Sequence, residues 1–185
     1  MRKLLNEELG RMNREEFLQS EKNPVVVVLD NVRSLNNIGS IFRTCDAFRV
    51  TRLILCGIST PPPHRDIHKT ALGAELTVEW QYYENTLDAI SGLKKSGYYL
   101  AALEQTETSI PLQHFHLPQP PQLPQPPQLP QPFSPPLALI FGNEIHGVSQ
   151  EVINQCDAAI EIPQFGTKHS LNVAVSVGIT LWTVI

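Results

Sequence analysis

The 185-residue chain lacks several features that mark familiar classes of protein. It has no apolar run of the ~18 residues that a membrane-spanning helix requires, and its charged N-terminus lacks the apolar segment of a signal peptide. Neither G-x-x-x-x-G-K-[ST] nor G-x-G-x-x-G occurs, which argues against a nucleotide hydrolase and a dinucleotide-dependent dehydrogenase. We therefore expect a cytoplasmic protein that does not contact a membrane.

Cysteine is scarce, and the three cysteines (Cys45, Cys56 and Cys156) include no C-x-x-C pair. An odd number of cysteines without metal-ligand spacing predicts reduced, mostly buried thiols. His64 and His68 stand four residues apart, a spacing that could bind zinc, but no other ligand pattern accompanies them. We therefore predict no metal site, and a loop over Gly57–Thr70 whose histidines act as caps or face RNA.

The net charge of −4 does not itself favour an anionic partner, but the charge is unevenly distributed. Residues 31–70 contain six Lys and Arg against two acidic residues, a net +4, whereas residues 71–185 contain three against ten, a net −7. We call residues 31–70 the basic segment. A cationic region of this kind fits an anionic partner such as RNA, and chance clustering on a solvated face is the alternative.

Apolar runs alternate with helical patterns, which predicts an α/β fold with a mostly parallel sheet and helices on both faces. Residues 1–24 are predicted to form a helical extension, with one amphipathic helix over Met1–Ser20, and residues 25–185 a single domain. The remaining predicted helices are Ile41–Phe48, Asn85–Ser96 and a helix capped by Ser170. The predicted strands are Val25–Leu29, Arg52–Cys56, Thr77–Trp80, Tyr98–Leu103, Leu137–Phe141 and Ala159–Ile162.

A proline-rich segment interrupts this pattern. Residues 118–136 contain ten of the sixteen prolines, and Gln-Pro-Pro-Gln-Leu-Pro occurs twice in tandem. Such a composition favours extended polyproline II over helix or sheet. We expect an inserted surface loop that is a tolerated repeat, with a docking ligand for another protein as the less favoured alternative.

Two polar loops follow predicted buried strands near the C-terminus. Gly142-Asn143-Glu144 follows the first strand, and the second leads through Pro163 and Gly166 to a helix that we expect to be capped by Ser170 and buried on most of its circumference. In open α/β sheets, ligands bind at the carboxyl ends of the strands. Both loops are therefore expected to face one cleft.

Three blocks carry a resemblance to a known family. They are Asn37-x-Gly39-x-x-x-Arg43, Phe141-Gly142-Asn143-Glu144-x-x-Gly147-Val148-Ser149, and Ile162-Pro163-x-x-Gly166-x-x-x-Ser170-Leu171-Asn172-Val173. In this order they resemble the three signature motifs of the SpoU-like (TrmH-type) RNA 2′-O-ribose methyltransferases of the SPOUT superfamily. The resemblance implies a C-terminal trefoil knot, S-adenosyl-L-methionine bound in the knot, a homodimer, and methylation of a ribose 2′-hydroxyl in tRNA or rRNA.

The resemblance also implies roles for particular residues. Arg43, from the same or the partner subunit, is interpreted as a clamp on the target phosphate and ribose rather than as the proton acceptor, because a guanidinium stays protonated. The expected catalytic residues are Asn37, Arg43, Glu144, Ser170 and Asn172. The expected donor-binding residues are Leu103, Gly142, Asn143, Gly147, Ile162, Pro163, Ser170 and Leu171.

Two alternatives belong to other functional classes. A non-catalytic RNA-binding relative would keep the basic segment but lose donor binding, and the intact Asn37, Arg43, Glu144 and Asn172 argue against it. An adaptor built on an inactive enzyme would depend on the Pro-rich loop. The final helix is short for the family, so we expect a dimer that is weaker than in its relatives.

Overall fold

The computed structural model describes residues 1–118 and 135–185. The predicted Pro/Gln-rich loop, apart from its first and last residues, lies outside the described residues. Within them, no helix has the length and apolar character to cross a bilayer. Nor do three or more His, Cys, Asp or Glu side chains cluster there as a metal site would require.

Seven strands form one sheet in the order β3-β2-β1-β6-β4-β7-β5, and every strand pair among them is parallel. The strands are β1 (Asn23–Asp30), β2 (Val50–Cys56), β3 (Trp80–Tyr83), β4 (Tyr99–Leu103), β5 (Ile110–Pro111), β6 (Leu137–Phe141) and β7 (Ala158–Glu161). The late strand β6 lies between β1 and β4, with Leu139 opposite Val27 on one side and Ala101 on the other. This order brings distant parts of the chain to one edge of the sheet.

Helices cover both faces, which confirms the predicted α/β class. They are α1 (Arg14–Gln19), α2 (Leu35–Ala47), α3 (Arg65–Ala71), α4 (Thr86–Lys95), α5 (Gln150–Ile153) and α6 (Val173–Val184). One core cluster joins α2, α3 and α6 to the sheet, with Phe42 and Leu181 fully buried in it. The second core cluster joins α4 and α5 to the other face, through Ile90 and Val152.

The N-terminal helix prediction was wrong in extent. The segment forms a 3₁₀ turn at Asn6–Leu9 and the short α1, separated by Gly10 in the left-handed region and by the Asn13 cap. Phe17 is the buried residue of α1. Leu5, Leu9 and Met12 lie exposed, so packing does not hold one long helix together.

Helix α2 begins six residues before the predicted start at Ile41. Ser34 caps the helix, its hydroxyl accepting the Asn37 N–H at 3.3 Å, so Asn37 and Gly39 lie on helix rather than in the loop. A Cβ on Gly39 would lie 2.1 Å from Thr70 Oγ1 and 2.4 Å from the Ile67 carbonyl oxygen. Gly39 therefore permits close packing between α2 and α3.

Two further boundaries differ from the predictions. The predicted strand Thr77–Trp80 was wrong: a 3₁₀ turn covers Ala74–Leu76, Thr77 donates its hydroxyl to Asp46, and β3 begins at Trp80. α6 begins after Asn172 rather than Ser170, because the Asn172 side chain accepts the N–H groups of Ala174 and Val175.

The expectation that α6 is buried on most of its circumference was also wrong. Val175, Ile179 and Trp182 are 49%, 37% and 79% exposed. Their spacing of four and then three residues puts them on one side of the helix, and we call them the α6 apolar face. The opposite side carries the fully buried Val177 and Leu181.

The cysteine prediction is confirmed. All three thiols are free; Cys45 and Cys56 are buried, and Cys156 is half-buried. Burial raises the pKa of Cys56 and of Cys156 to about 12, which makes them poor nucleophiles at neutral pH.

Candidate active site

A cleft of about 320 Å³ opens at the carboxyl ends of β4, β6 and β7, beside the start of α6. Its walls combine apolar side chains, among them Phe141, Ile160 and Val173, with polar groups of the connecting loops. Its position follows from the parallel sheet, because the loops that leave neighbouring strands meet at this edge.

The loop after β6 is fixed by its own backbone. Asn143 and Gly147 exchange N–H···O bonds of 3.0 and 2.9 Å. A Cβ on Gly142 would lie 2.0 Å from the Gly147 carbonyl carbon, so only glycine allows this approach. The Asn143 side chain accepts the Ile145 and His146 N–H groups and donates to the Asn31 carbonyl oxygen at 2.7 Å, which ties this loop to the one after β1.

Glu144 connects the three motifs. Its carboxylate accepts the backbone N–H groups of Arg33 and Ser34, each at 3.0 Å, and the Asn37 amide at 3.0 Å. The Asn37 oxygen in turn accepts the Asn172 amide at 3.0 Å. Residues more than 100 positions apart in the chain thus form one hydrogen-bonded unit, which we call the Glu144 network.

This environment keeps Glu144 ionised. Partial burial acts to raise the pKa of its carboxyl, but hydrogen bonds from Arg33, its own backbone, Asn37 and Ser34 outweigh burial and lower the pKa below its ordinary value. A carboxylate that already accepts several N–H groups is a weak base. Glu144 is therefore suited to holding loops in place rather than to removing a proton.

Two acidic residues that sequence reasoning missed hold the same loops. The buried Asp30 accepts the Thr86 hydroxyl at 2.6 Å and the Ser149 N–H at 3.0 Å. Glu104 lines the cleft and accepts the Val148 N–H at 2.8 Å. Each acid comes at or directly after the end of an apolar strand, and that position was the signal available in the sequence.

The predicted donor-binding residues come together. All of them except Pro163 line the cleft: Leu103, Gly142, Asn143, Gly147, Ile162, Ser170 and Leu171. Pro163 lies between the lining residues Ile162 and Gln164. Of the predicted catalytic residues, Glu144 and Ser170 line the cleft, and Asn37 and Asn172 join it through the Glu144 network.

Arg43 lies elsewhere. It is exposed and lines a separate cavity of about 370 Å³ with Arg14, Asp46, Leu72 and other residues. That cavity and the cleft share no lining residue. Within one subunit, Arg43 therefore lies apart from the other predicted catalytic residues.

The parallel sheet and the cleft at its carboxyl edge, with polar groups supplied by three distant segments, define an α/β protein of the ligand-binding type. The chain belongs to the SpoU rRNA Methylase family, whose model matches residues 24–182. This match confirms the resemblance noted from the sequence.

Individual relatives are similar at modest identity. A tRNA (guanosine(18)-2′-O)-methyltransferase of Aquifex aeolicus is 27% identical over 185 residues, covering 97% of this chain and 76% of that protein. A 23S rRNA (guanosine-2′-O-)-methyltransferase RlmB of Neisseria meningitidis is 28% identical over 158 residues, covering 85% of this chain and 56% of that protein. The chain therefore spans three quarters of one relative and little more than half of the other.

Solved structures agree with the fold. The A. aeolicus TrmH/SpoU tRNA modifying enzyme has a TM-score of 0.75 at 26% identity, over 92% of this chain and 78% of that one. An AdoMet-bound rRNA methyltransferase from Sinorhizobium meliloti has a TM-score of 0.74 at 27% identity, over 92% of this chain and 58% of that one.

Proposed function

We propose that the protein transfers the methyl group of S-adenosylmethionine to a ribose 2′-hydroxyl of tRNA or rRNA, in the cytoplasm. The observation that carries this proposal is the Glu144 network, because it unites residues of all three family motifs beside one cleft. The proposal is also supported by the names of the relatives, which are tRNA and rRNA 2′-O-methyltransferases.

The cleft fits the proposed methyl donor. Leu103, Ile162 and Leu171 offer apolar contacts to an adenine ring, and the peptide groups of the loops around Gly142 and Gln164 offer hydrogen bonds to its edge and to the methionine part. When bound, S-adenosylmethionine supplies a methyl group on a positively charged sulfur. We propose that the loops cross here in the trefoil knot of the family.

The chain's own residues would align and activate the hydroxyl. In the proposed step the ribose 2′-oxygen bonds to the methyl carbon as the C–S bond breaks, and neutral S-adenosylhomocysteine leaves. The hydroxyl proton is released to solvent, and because an alcohol is a poor nucleophile at its own pKa, the protein must favour that loss. We propose that the Arg43 guanidinium binds the target phosphate and ribose and stabilises negative charge on the 2′-oxygen. The Glu144 network would fix the loops around the reacting atoms and so hold them in line.

We further propose that the active unit is a homodimer in which Arg43 of one subunit serves the cleft of the other. Two observations support this arrangement: Arg43 lies in a cavity separate from its own cleft, and the α6 apolar face is exposed. Pairing of two such faces would bury Val175, Ile179 and Trp182, and burial of apolar area favours association.

The test measures transfer of tritiated methyl groups from S-adenosylmethionine to unmodified bacterial tRNA and rRNA, with nuclease digestion to identify the labelled ribose. We expect wild type to label one RNA fraction, and Arg43→Ala to lower the rate by at least about 100-fold, as loss of one preorganised charge contact does. Lys95→Ala, on α4, removes one positive charge from the other face of the sheet and is the control. Donor binding without any RNA labelling would contradict the proposal.

A further inference from the structure

A second large cavity, of about 590 Å³, lies outside the candidate active site. We call it the α3 cavity, because α3 and the segments on either side of it form its walls. Its lining is Pro62, Pro63, His64, Arg65, His68, Glu75, Leu76 and Trp80. It shares no lining residue with the cleft of the candidate active site. The proposed methyl transfer does not involve it.

The two histidines of this cavity are held in defined orientations. His64 Nδ1 accepts the Asp66 N–H at 3.1 Å, so in the neutral ring the proton lies on Nε2 and can be donated to a ligand. His68 Nδ1 lies 2.5 Å from Glu75 Oε1, with side chains 70% and 7% exposed. His68 thus keeps its second ring nitrogen for solvent or a ligand, and Arg65 adds an exposed cation at the same rim.

Glu75 is a buried acid whose hydrogen bonding is incomplete. Its second oxygen, Oε2, is buried and has no hydrogen-bond partner within residues 1–118 and 135–185. Burial acts to raise the pKa of Glu75, but the hydrogen bond with His68 and bonds from the backbone outweigh it, so the acid is ionised. An unsatisfied buried acceptor is unfavourable, and an N–H donor on the edge of a ligand would relieve it.

The remaining walls are apolar and include an aromatic ring. Trp80, at the start of β3, is half-buried, and Pro62, Pro63 and Leu76 complete the apolar lining. A flat aromatic ligand that carries negative charge would match a tryptophan wall with a cationic rim. An unpaired RNA nucleotide has this chemistry, because single-stranded bases stack on aromatic side chains while basic residues contact the backbone phosphates.

The cavity is joined to the candidate active site through α2. The Thr70 hydroxyl donates to the Asn36 carbonyl oxygen at 3.1 Å, and Gly39 brings the two helices into close contact. Asn37, which follows Asn36 in α2, belongs to the Glu144 network. A nucleotide held in the α3 cavity would therefore be fixed relative to the site of methyl transfer.

We propose that the α3 cavity is an RNA subsite that holds one unpaired nucleobase of the substrate against Trp80, with Arg65 and His64 contacting the adjoining phosphate. This subsite rests on the proposed function, because its ligand is part of the RNA substrate of the methyl transfer. It also gives a role to Arg65, a part of the basic segment that lies beyond the motif containing Arg43.

The test measures binding of a fluorescein-labelled, mixed-sequence single-stranded RNA of about 12 nucleotides by anisotropy. We expect Trp80→Ala to weaken binding at least about fivefold, as loss of one base stack does, and Trp80→Phe to retain most of the affinity. Arg65→Ala should reduce the salt dependence of binding by about 0.7 in log–log slope, the value for one phosphate contact on a single strand. Lys95→Ala is the control and should change neither quantity.

Two controls separate the possible causes of a loss. Circular dichroism and calorimetric binding of S-adenosylmethionine report whether the Trp80→Ala protein is folded. Arg65 is exposed, so Arg65→Ala tests the subsite without creating a packing defect. A cross-link from a 4-thiouridine-labelled RNA should map to residues 62–80. Affinities of the Trp80→Ala and Arg65→Ala variants within twofold of wild type, or equal losses in Trp80→Ala and Trp80→Phe, would overturn the subsite. RNA methylation by wild type in the same preparation would show that the proposed function survives.

Discussion

The two ends of α2 carry motif residues in contrasting surroundings. Near its start, Asn37 donates to Glu144 and accepts from Asn172. Six residues on, a rise of about 9 Å along the axis, Arg43 is exposed, and its guanidinium makes no hydrogen bond or salt bridge to any residue that the structure describes.

This contrast separates two kinds of functional residue. Asn37 is hydrogen-bonded inside the subunit through both its amide nitrogen and its amide oxygen, so its contribution is to set the geometry of the cleft. Arg43 has its charge available to something outside the subunit, either RNA or a second copy of the chain.

The sharpest test mixes two inactive subunits. Arg43→Ala and Glu144→Ala proteins are unfolded and refolded together in equal amounts. If Arg43 acts on the partner's cleft, the mixture should regain about a quarter of wild-type methyl transfer. Half of the randomly paired dimers are then mixed, and each mixed dimer has one complete site where a wild-type dimer has two. The measurement is the rate of labelling of the RNA fraction that wild type modifies.

An Arg43 that acts within its own subunit would give no recovery, because every subunit of the mixture would then lack one required residue. Each variant refolded alone provides the baseline. Donor affinity should be unchanged in Arg43→Ala, whose cavity shares no residue with the cleft.

The α6 apolar face should determine whether such dimers form. Trp182→Asp places a charge on its most exposed member and should raise the dimer dissociation constant by at least about thirtyfold, since interface tryptophans are commonly worth ~2 kcal/mol or more. Sedimentation equilibrium measures this constant. Leu18→Asp, an equivalent change at an exposed position of α1, is the control, and wild type that is monomeric at micromolar concentration would contradict the proposed dimer.

The different fates of the sequence predictions have physical reasons. The runs Val25–Leu29 and Leu137–Phe141 were recognisable because strands buried on both faces are continuously apolar. The insertion of β6 between β1 and β4 could not be recognised from the sequence, because strand order depends on contacts between residues about 110 positions apart. The exposed side of α6 was missed because it carries apolar residues, as the buried side does, so the periodicity of apolar residues does not separate the two.

The site could be only partly predicted from the sequence, for similar reasons. Motif resemblance led to a set of residues of which most line one cleft or join it through hydrogen bonds, although their individual roles stay predictions. Asp30 and Glu104 were missed because their partners are backbone N–H groups and a hydroxyl, which have no sequence signature. The outward position of Arg43 depends on how α2 packs against α3 and α6, which the sequence does not specify locally.

A matched pair of helix glycines tests how firmly the Asn37 end is held. In Gly39→Ala the new methyl would meet Thr70 and the Ile67 carbonyl, so we expect a loss of about 1–3 kcal/mol in unfolding free energy, as for other overpacked positions. Gly92→Ala on α4 meets nothing within 4 Å and should stabilise by about 0.5–1 kcal/mol. Urea unfolding measures both, and equal effects would show that α2 and α3 are less closely packed than described.

The smallest expected effect is the pH dependence contributed by Glu144. Its pKa in the folded protein lies below the ordinary value of 4.5, so its hydrogen bonds add stability that is fully present above the unfolded-state pKa and disappears as pH falls through the folded one. Unfolding free energies of wild type and Glu144→Gln should therefore differ by their largest and constant amount at neutral pH, and converge as pH falls below the ordinary carboxyl value of 4.5. Glu151→Gln, at an exposed position on α5, controls for the lost negative charge. A wild-type advantage that stays constant across this range would mean that the loops around the cleft do not depend on an ionised Glu144, and that the Asn37 end of α2 is held by packing alone.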